Sequence, residues 1–514
     1  MFSKVKSCAV HGVDGRMIDV EADVNDGLPV FTMVGYLSSS VRESSERVRT
    51  ALKNSGFHLP PKRITINLSP ADMRKDGSGY DLAIATAVLL SLGVTAELPM
   101  EQTLVLGELS LDGSIKAIPG VLPMVICARE EGMTSCIVPK ENVQEAALVQ
   151  GISVIGVSSL KETMEYIQGI KEYENTNVEQ PAVDTSEYLY DIDFSDVVGQ
   201  ESIKRGMEIA AAGFHNVLLT GAAGAGKSML AKRLPTILPQ MSFEESLEVT
   251  KIYSVGGMLP PEGGLIHGRP FRAPHHTISE YALIGGGRVP TPGEVSFAHY
   301  GVLFLDELPE FSKPVLEVLR QPLEDRRIRI SRVQASYEFP ADFMFVAAMN
   351  PCPCGNYPDY RRCSCTEQQI RRYQSKVSGP LLDRIDIRME VKGVKQEVLF
   401  SKQKTESSKT IRARVEQARQ MQKERFAGTG LLFNSQLDGK NLEEYITLSE
   451  EGKRLVLQLF EEQELSVRGV HRVLKLARTI ADLAGSEEIE HAHLQEAAFY
   501  RNQDVFAKEV LYGN

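Results

Sequence analysis

No stretch of this sequence stays apolar for long enough to cross a bilayer. The longest nearly apolar run, LAIATAVLLSLGV at 82 to 94, falls short of the roughly 20 residues a spanning helix needs and has the length of a core helix instead. The N-terminus, MFSKVKSCAVHGVDG, lacks the uninterrupted apolar segment of a secretory signal, so a cytoplasmic protein without a membrane partner is expected. Cysteine is scarce. There are seven in 514 residues, an odd number without regular disulfide spacing, which argues against a disulfide scaffold and suits a reducing compartment. Positive charge is also short: the net charge of -11 argues against bulk electrostatic binding of nucleic acid and leaves room for a local basic patch. No internal repeat or low-complexity block is present. What remains, 42% hydrophobic and 24% charged residues, is ordinary for a globular chain whose length suggests about three domains.

Against that background one octet stands out. Residues 221 to 228 read GAAGAGKS and fit the P-loop pattern, in which small residues let successive backbone N–H groups close around phosphate oxygens. Gly221, Ala222, Ala223, Gly224, Ala225 and Gly226 would form the cradle. Lys227 would neutralise the terminal phosphates of ATP, and Ser228 would hold Mg²⁺. The flanks agree: HNVLLTG before the octet reads as a short strand, and MLAKRLPTIL after it has helical spacing, so the phosphates would meet a helix N-terminus.

A second strand-like run, GVLFLDE at 301 to 307, ends in two carboxylates. An acidic pair after a strand is usually a solvated turn. About 80 residues beyond a P-loop, it reads as a Walker B site instead, with Asp306 in the metal shell and Glu307 orienting and deprotonating the attacking water.

Patterning divides the chain. Strand-like runs such as RMIDVEADV, RITINLS and SCIVP alternate with helical stretches near 39 to 56 and 81 to 93, which predicts an α+β domain over 1–168. Residues 171 to 196 carry eight acidic residues against one lysine, and an acidic linker is expected over 169–195. An α/β nucleotide-binding core should occupy 196–392, followed by a helical domain over 393–514. The run at 402 to 425 holds eight basic and three acidic residues, most simply a solvated helix face.

DVVGQ at 196, the P-loop, FLDE, AAMNPCPCG, GPLLDRIDI and LSVRGVHRVLKLARTIADL occur in this order. Together they resemble the magnesium-chelatase-like branch of AAA+ ATPases, and within it the ComM/YifB subfamily. The resemblance implies an AAA+ core with a helical lid. It also implies a homo-hexameric, ATP-driven ring motor that acts on branched or single-stranded DNA, a branch-migration helicase of recombination or natural transformation. Asn350 resembles the sensor 1 residue that positions the lytic water; an Asn before Pro otherwise merely starts a turn. Arg384 resembles the arginine finger that reaches a neighbouring subunit's nucleotide, with a surface ion pair to Asp383 or Asp386 as the plainer alternative. Arg468 resembles sensor 2, the lid arginine that couples nucleotide state to lid angle.

DNA contact is expected at EDRRIRISRVQASYEFP, 324 to 340, which resembles the pore hairpin of related rings. Its Arg326, Arg327, Arg329 and Arg332 suit sequence-blind phosphate tracking, or alternatively salt bridges on an edge strand. GGLIHGRPFRAPHHTISEYALIGGG at 263 to 287 resembles the family's insertion, and His275 and His276 within it are adjacent side chains expected to point apart.

Four of the seven cysteines, Cys352, Cys354, Cys363 and Cys365, form C-x-C-x₈-C-x-C. Four thiolates can close a tetrahedral structural Zn²⁺ site, although both knuckles are one residue shorter than the usual C-x₂-C. Unliganded thiols and a redox pair remain open alternatives.

Residues 1 to 168 resemble the Lon-protease-like fold also found in the DNA-repair ATPase RadA, through KDGSGYDLAIA, LGELSLDGSIKAIPG and GMTSCIVPKEN. Ser78 or Gly79 falls at the serine position, and Val121, Leu122, Pro123 and Met124 stand where the activating lysine belongs. Without a base a serine hydroxyl is a poor nucleophile, so an ATP-dependent peptidase ranks below a DNA motor. A chelatase-like ATP-dependent protein remodeller is the other rival.

Overall fold

The computed structural model describes residues 1–171, 190–260, 263–332, 335–393, 405–462 and 465–501. Most of the expected linker, at 172–189, lies outside them.

In the N-terminal part, Ile18, Val20, Ala22 and Val24 recur at every second position of the strand Asp14–Asn25, and all four are buried. That period puts one face on the core. The strand pairs antiparallel with Phe2–His11 on one side and Arg63–Ser69 on the other. Four more strands complete a mixed sheet of seven, ordered Phe31–Val34, Arg63–Ser69, Asp14–Asn25, Phe2–His11, Thr103–Val105, Ser135–Pro139 and Ser153–Val157. The helices Ser39–Asn54 and Asp81–Ser91 share one core with this sheet, while Val121–Glu130 belongs to a second core that includes Cys8, Leu104 and Cys136. This third helix is not apparent from VLPMVICARE because it contains proline. Pro123 sits in the first turn, where its missing N–H removes no helical hydrogen bond.

The nucleotide-binding core is built on a parallel sheet of five strands, ordered Phe271–Arg272, Val302–Leu305, Met344–Met349, Val217–Thr220 and Ile387–Glu390. Its three inner strands are buried on both faces, as parallel strands covered by helices must be. Val217 and Leu219 pack into a cluster with the helix Glu201–Gly213, whereas Leu218 faces the opposite cluster with Leu303 and Phe345. The helices Ser408–Arg425, Gly439–Tyr445, Glu450–Glu462, Val467–Leu483 and His491–Arg501 form the C-terminal part. Ile411, Val415, Leu476 and Ile480 join the same cluster as Val217, so this helical part shares a continuous core with the sheet.

The N-terminal domain meets the nucleotide-binding part along a seam. Gly120 N–H donates to Ser254 O at 3.0 Å, Lys251 pairs with Asp14 at 3.1 Å, and the rings of His11 and Tyr337 lie 4.4 Å apart. At Gly12, φ is +68° and a Cβ would stand 2.9 Å from Glu338 O, so only glycine allows this approach of the first hairpin to the strand Ser336–Pro340.

Candidate functional site

Strand register assembles the site. Thr220 is aligned with Met349, and Leu305 with Ala347, so Gly221, Asp306 and Asn350 each follow the C-terminal end of one of three adjacent parallel strands. Open α/β sheets bind ligands in the crevice outside these ends. Gly224 and Gly226 take φ of +77° and +95°, the left-handed conformations that let the loop curl back over the strand end. The helix Lys227–Arg233 starts directly behind them.

Lys227 Nζ donates to Gly221 O at 2.8 Å, Ala222 O at 2.9 Å and Asn350 Oδ1 at 3.0 Å. Burial lowers its ammonium from the ordinary value, opposed by the nearby carboxylates of Asp306 and Glu307. Ser228 Oγ donates to Asp306 Oδ2 at 2.5 Å, which joins a hydroxyl and a carboxylate of the kind that together hold Mg²⁺ beside a triphosphate. Glu307 is exposed and takes φ of +51°, a sparsely populated conformation for a residue with a side chain. The Glu307 N–H donates to Asp306 Oδ1 at 2.9 Å. The P-loop residues, Asp306, Glu307 and Asn350 therefore converge.

The cysteine loop follows Asn350 immediately. The four sulfurs of Cys352, Cys354, Cys363 and Cys365 lie within 4.8 Å of one another, with Cys352 to Cys354 at 3.4 Å, Cys352 to Cys363 at 3.8 Å and Cys354 to Cys363 at 3.6 Å. Thiolates about 2.3 Å from a tetrahedral Zn²⁺ stand roughly 3.8 Å apart, so the donor set fits that ion. The short knuckles do not prevent closure. Cys352 Sγ accepts the Tyr357 N–H at 3.4 Å, and the Asn356 backbone N–H leads in lowering the Cys354 thiol to about 6, which favours the Cys354 thiolate. Gly355, at the centre of this loop, lies against the P-loop: a Cβ there would be 3.3 Å from Ala223 N and 3.8 Å from Asn350 Cγ. Sequence reading missed this contact.

Arg384 and Arg468 lie elsewhere. Arg384 precedes the strand Ile387–Glu390, and its backbone carbonyl accepts from Asn216, which precedes Val217–Thr220. It thus stands at the N-terminal end of the sheet, opposite the P-loop. Its guanidinium binds Glu324 and donates to Arg320 O at 3.1 Å. The pairing with Asp383 or Asp386 considered from sequence is not made, because Asp386 is engaged by Arg472 and His215 and Asp383 by Arg501. Arg468 is exposed at the start of Val467–Leu483. It lines a cavity of ≈ 270 Å³ with Asn216, Glu324, Asp386 and Arg472, on the side of Arg384 and away from its own P-loop.

The four hairpin arginines separate. Arg326 has a φ of +55°, donates to Ser435 O at 3.2 Å and lies 3.6 Å from Asp342, and so faces the helical part. Arg327 and Arg329, both exposed, share the carboxylate of Glu338 across the strand pair at 2.9 and 3.0 Å. Arg332 donates to Gly287 O at 3.0 Å and joins a cleft on the seam.

In the N-terminal domain Ser78 Oγ donates to Glu108, and no lysine lines the cavity onto which Ser78 opens, among the described residues. Lys75 is buried with its ammonium on Pro70 O and Met73 O. Val121, Leu122, Pro123 and Met124 are buried in their helix. The rings of His275 and His276 face each other at 4.0 Å rather than pointing apart. Still, the four cysteines are the only metal-sized donor cluster among the described residues. The basic run at 402 to 425 is also not a plain solvated face. Within its described part Arg414 binds Glu208 and Glu406, Arg419 covers the Phe433 ring, and Arg425 pairs with Asp482. No helix among the described residues is long and apolar enough to cross a membrane.

Comparison with known proteins agrees with this architecture. Residues 193–399 match the family "Magnesium chelatase, subunit ChlI", residues 20–142 match "Subunit ChlI of Mg-chelatase", and residues 405–501 match its C-terminal family. The chain is 40% identical over 503 residues to the competence protein ComM of Haemophilus influenzae, covering 97% of each chain. It is 41% identical over 506 residues to YifB of Escherichia coli, covering 98% of this chain and 97% of that one. A shorter match, 30% identity over 183 residues and 32% of each chain, links it to Lon protease 2 of Bacillus subtilis.

Proposed function

The chain belongs to the ComM/YifB family of magnesium-chelatase-like AAA+ proteins, and from that premise we propose that it is an ATP-driven DNA motor of recombination or natural transformation. The observation that carries the ATPase reading is the convergence of Lys227, Ser228, Asp306, Glu307 and Asn350 at three adjacent strand ends. When bound, Mg²⁺ offsets phosphate charge, with Ser228 and Asp306 as its holders. The Gly221 to Gly226 backbone cradles the phosphates, and Lys227 exchanges its carbonyl partners for phosphate oxygens. Glu307 takes the proton of the attacking water while the Asn350 amide orients it.

Arg384 and Arg468 stand at the opposite end of the sheet from their own phosphate loop. A nucleotide contact from either residue therefore crosses a subunit boundary, which supports a ring; the hexamer is the family's expected form. The four thiolates hold a structural Zn²⁺, which ties the loop after Asn350 to the P-loop through Gly355. A place in natural transformation is supported by the name of the relative, competence protein ComM, and DNA engagement by the exposed Arg327, Arg329 and Arg332. The cavity at Ser78, without a lysine, does not favour a peptidase.

Measuring ATP turnover with and without forked, Holliday and linear DNA tests this function. Stimulation by branched DNA is expected. ATP turnover indifferent to every DNA, together with no DNA binding, would leave a protein remodeller as the better reading.

A further inference from the structure

The seam between the N-terminal domain and the arginine hairpin encloses a cleft of ≈ 340 Å³. Its cations are Arg16 and Arg74 from the N-terminal domain, Arg288 directly after the insertion and Arg332 from the hairpin. Arg74 is paired with Asp76 at 3.2 Å. Arg16, Arg288 and Arg332 are all exposed, and no ion pair engages them among the described residues. Asp72 is the other carboxylate in the lining, so the cleft keeps a positive balance on a chain of net charge -11. Two half-buried aromatic side chains, Tyr36 and Tyr337, line it as well. Beside it lies a more apolar cavity of ≈ 410 Å³, which shares His11, Met73, Arg74, Asp76 and Tyr337 with the cleft.

Guanidinium groups without an ion pair beside aromatic rings in one cleft suit a single strand: cations track the phosphodiester chain, and every base has a face to stack. A duplex offers no free base faces and is too wide for a space of this size. The two aspartates of the lining offset only part of the charge of its four arginines, which leaves the cleft attractive to an anion.

We infer that this seam cleft is a binding site for single-stranded nucleic acid, with Arg16, Arg288 and Arg332 on phosphates and Tyr36 and Tyr337 on bases. The inference rests on the DNA reading proposed above and gives it a place on the molecule. It also assigns the N-terminal domain half of the contact, so that a strand held there bridges the two domains.

The probe is a fluorescent oligo-dT, titrated by anisotropy against the full-length protein over a series of salt concentrations. Arg16→Ala with Arg288→Ala is expected to weaken binding by about tenfold or more and to reduce the slope of log affinity against log salt by about 1.4, or roughly 0.7 per phosphate contact. Tyr36→Leu should weaken binding about fivefold or more while leaving the salt slope unchanged, which separates stacking from charge. Unchanged thermal denaturation of each variant establishes that the fold is intact. As a second measurement, ultraviolet cross-linking to an iodouracil-substituted strand should map to peptides containing Tyr36 or Tyr337. Wild-type protein that binds the strand, with both variants indistinguishable from it or cross-links only outside the seam, overturns the cleft and leaves the DNA motor standing. Wild-type protein that does not bind the strand overturns the cleft, and the DNA motor is then decided by turnover and binding on forked, Holliday and linear DNA.

Discussion

Gly355 faces Ala223 so closely that a Cβ on Gly355 would stand 3.3 Å from the Ala223 amide nitrogen. The loop that carries the four cysteines therefore forms one wall of the phosphate cradle. Because φ at Gly355 is +79°, any side chain there meets both backbone strain and the P-loop. Gly355→Ala is expected to raise the KM for ATP about tenfold with a smaller change in kcat, as measured by steady-state turnover.

Through the same wall, nucleotide binding is expected to depend on a metal held by the four cysteines. About one zinc per chain is expected by elemental analysis, and Cys352→Ser with Cys354→Ser should abolish it. Removal of zinc by a chelator should weaken binding of a fluorescent ATP analogue, and added Zn²⁺ should restore it. A protein purified without chelator that contains no zinc, yet is folded and binds nucleotide with full affinity, contradicts the assignment.

Glu307 is the candidate base, and it is held at a positive φ beside Asp306. Glu307→Gln keeps the shape and removes the proton acceptor, so turnover should fall by about 10² to 10⁴ while ATP binding persists. Lys227→Ala should lose both, since Lys227 is the cation of the cradle. Binding measured separately from turnover distinguishes the two variants.

The convergence of residues at the P-loop end of the sheet was legible in the sequence because its determinants are local. An octet, a strand ending in Asp306 and Glu307, and Asn350 after an apolar run each announce themselves within a few residues, and parallel register then brings them together. The cysteine cluster was legible for the same reason. The partner of Arg384 was not, because Glu324 lies 60 residues away and is brought close only by packing. Likewise Arg16 and Arg288 carry no local signal in the sequence, and only the seam brings them beside Arg332. The proline-containing helix Val121–Glu130 shows a different limit, where local composition argues against an element that tertiary burial supports.

The seam carries a titrating group of its own. Burial pushes the Glu145 carboxyl up to about 7 from an ordinary 4.5, against weaker stabilisation of its charge by Ser254 and Asn142. The folded state therefore holds this proton more tightly than the unfolded chain does. Its contribution to stability is fully present below pH 4.5 and is lost as pH rises through 7, a loss on the order of 3 kcal/mol. Glu145→Gln stays neutral throughout. Relative to wild type, it should gain stability between pH 5 and pH 8 in parallel denaturant titrations; an equal difference at both values would show that the carboxyl does not ionise with this shift.

Arg384 provides the sharpest test of assembly, because its own phosphate loop lies across the sheet from it. Either Arg384 serves only to hold Glu324 within one subunit, or it completes the site of a neighbour, and the two roles respond differently to mixing. Arg384→Ala alone should reduce turnover by about 10³ or more if the guanidinium stabilises transition-state charge in trans, with nucleotide affinity of the isolated chain preserved. Arg384→Ala protomers mixed with Glu307→Gln protomers then create some interfaces that pair an intact Arg384 with an intact Glu307, and those interfaces should recover activity that neither variant has alone. Recovery should rise and fall with the mixing ratio, peaking near equal proportions. A purely structural Arg384 predicts loss of stability in the single variant and no recovery in mixed assemblies, and Glu324→Gln would then reproduce the defect of Arg384→Ala. If Arg384 acts in trans, Glu324→Gln instead frees the guanidinium and leaves turnover largely intact.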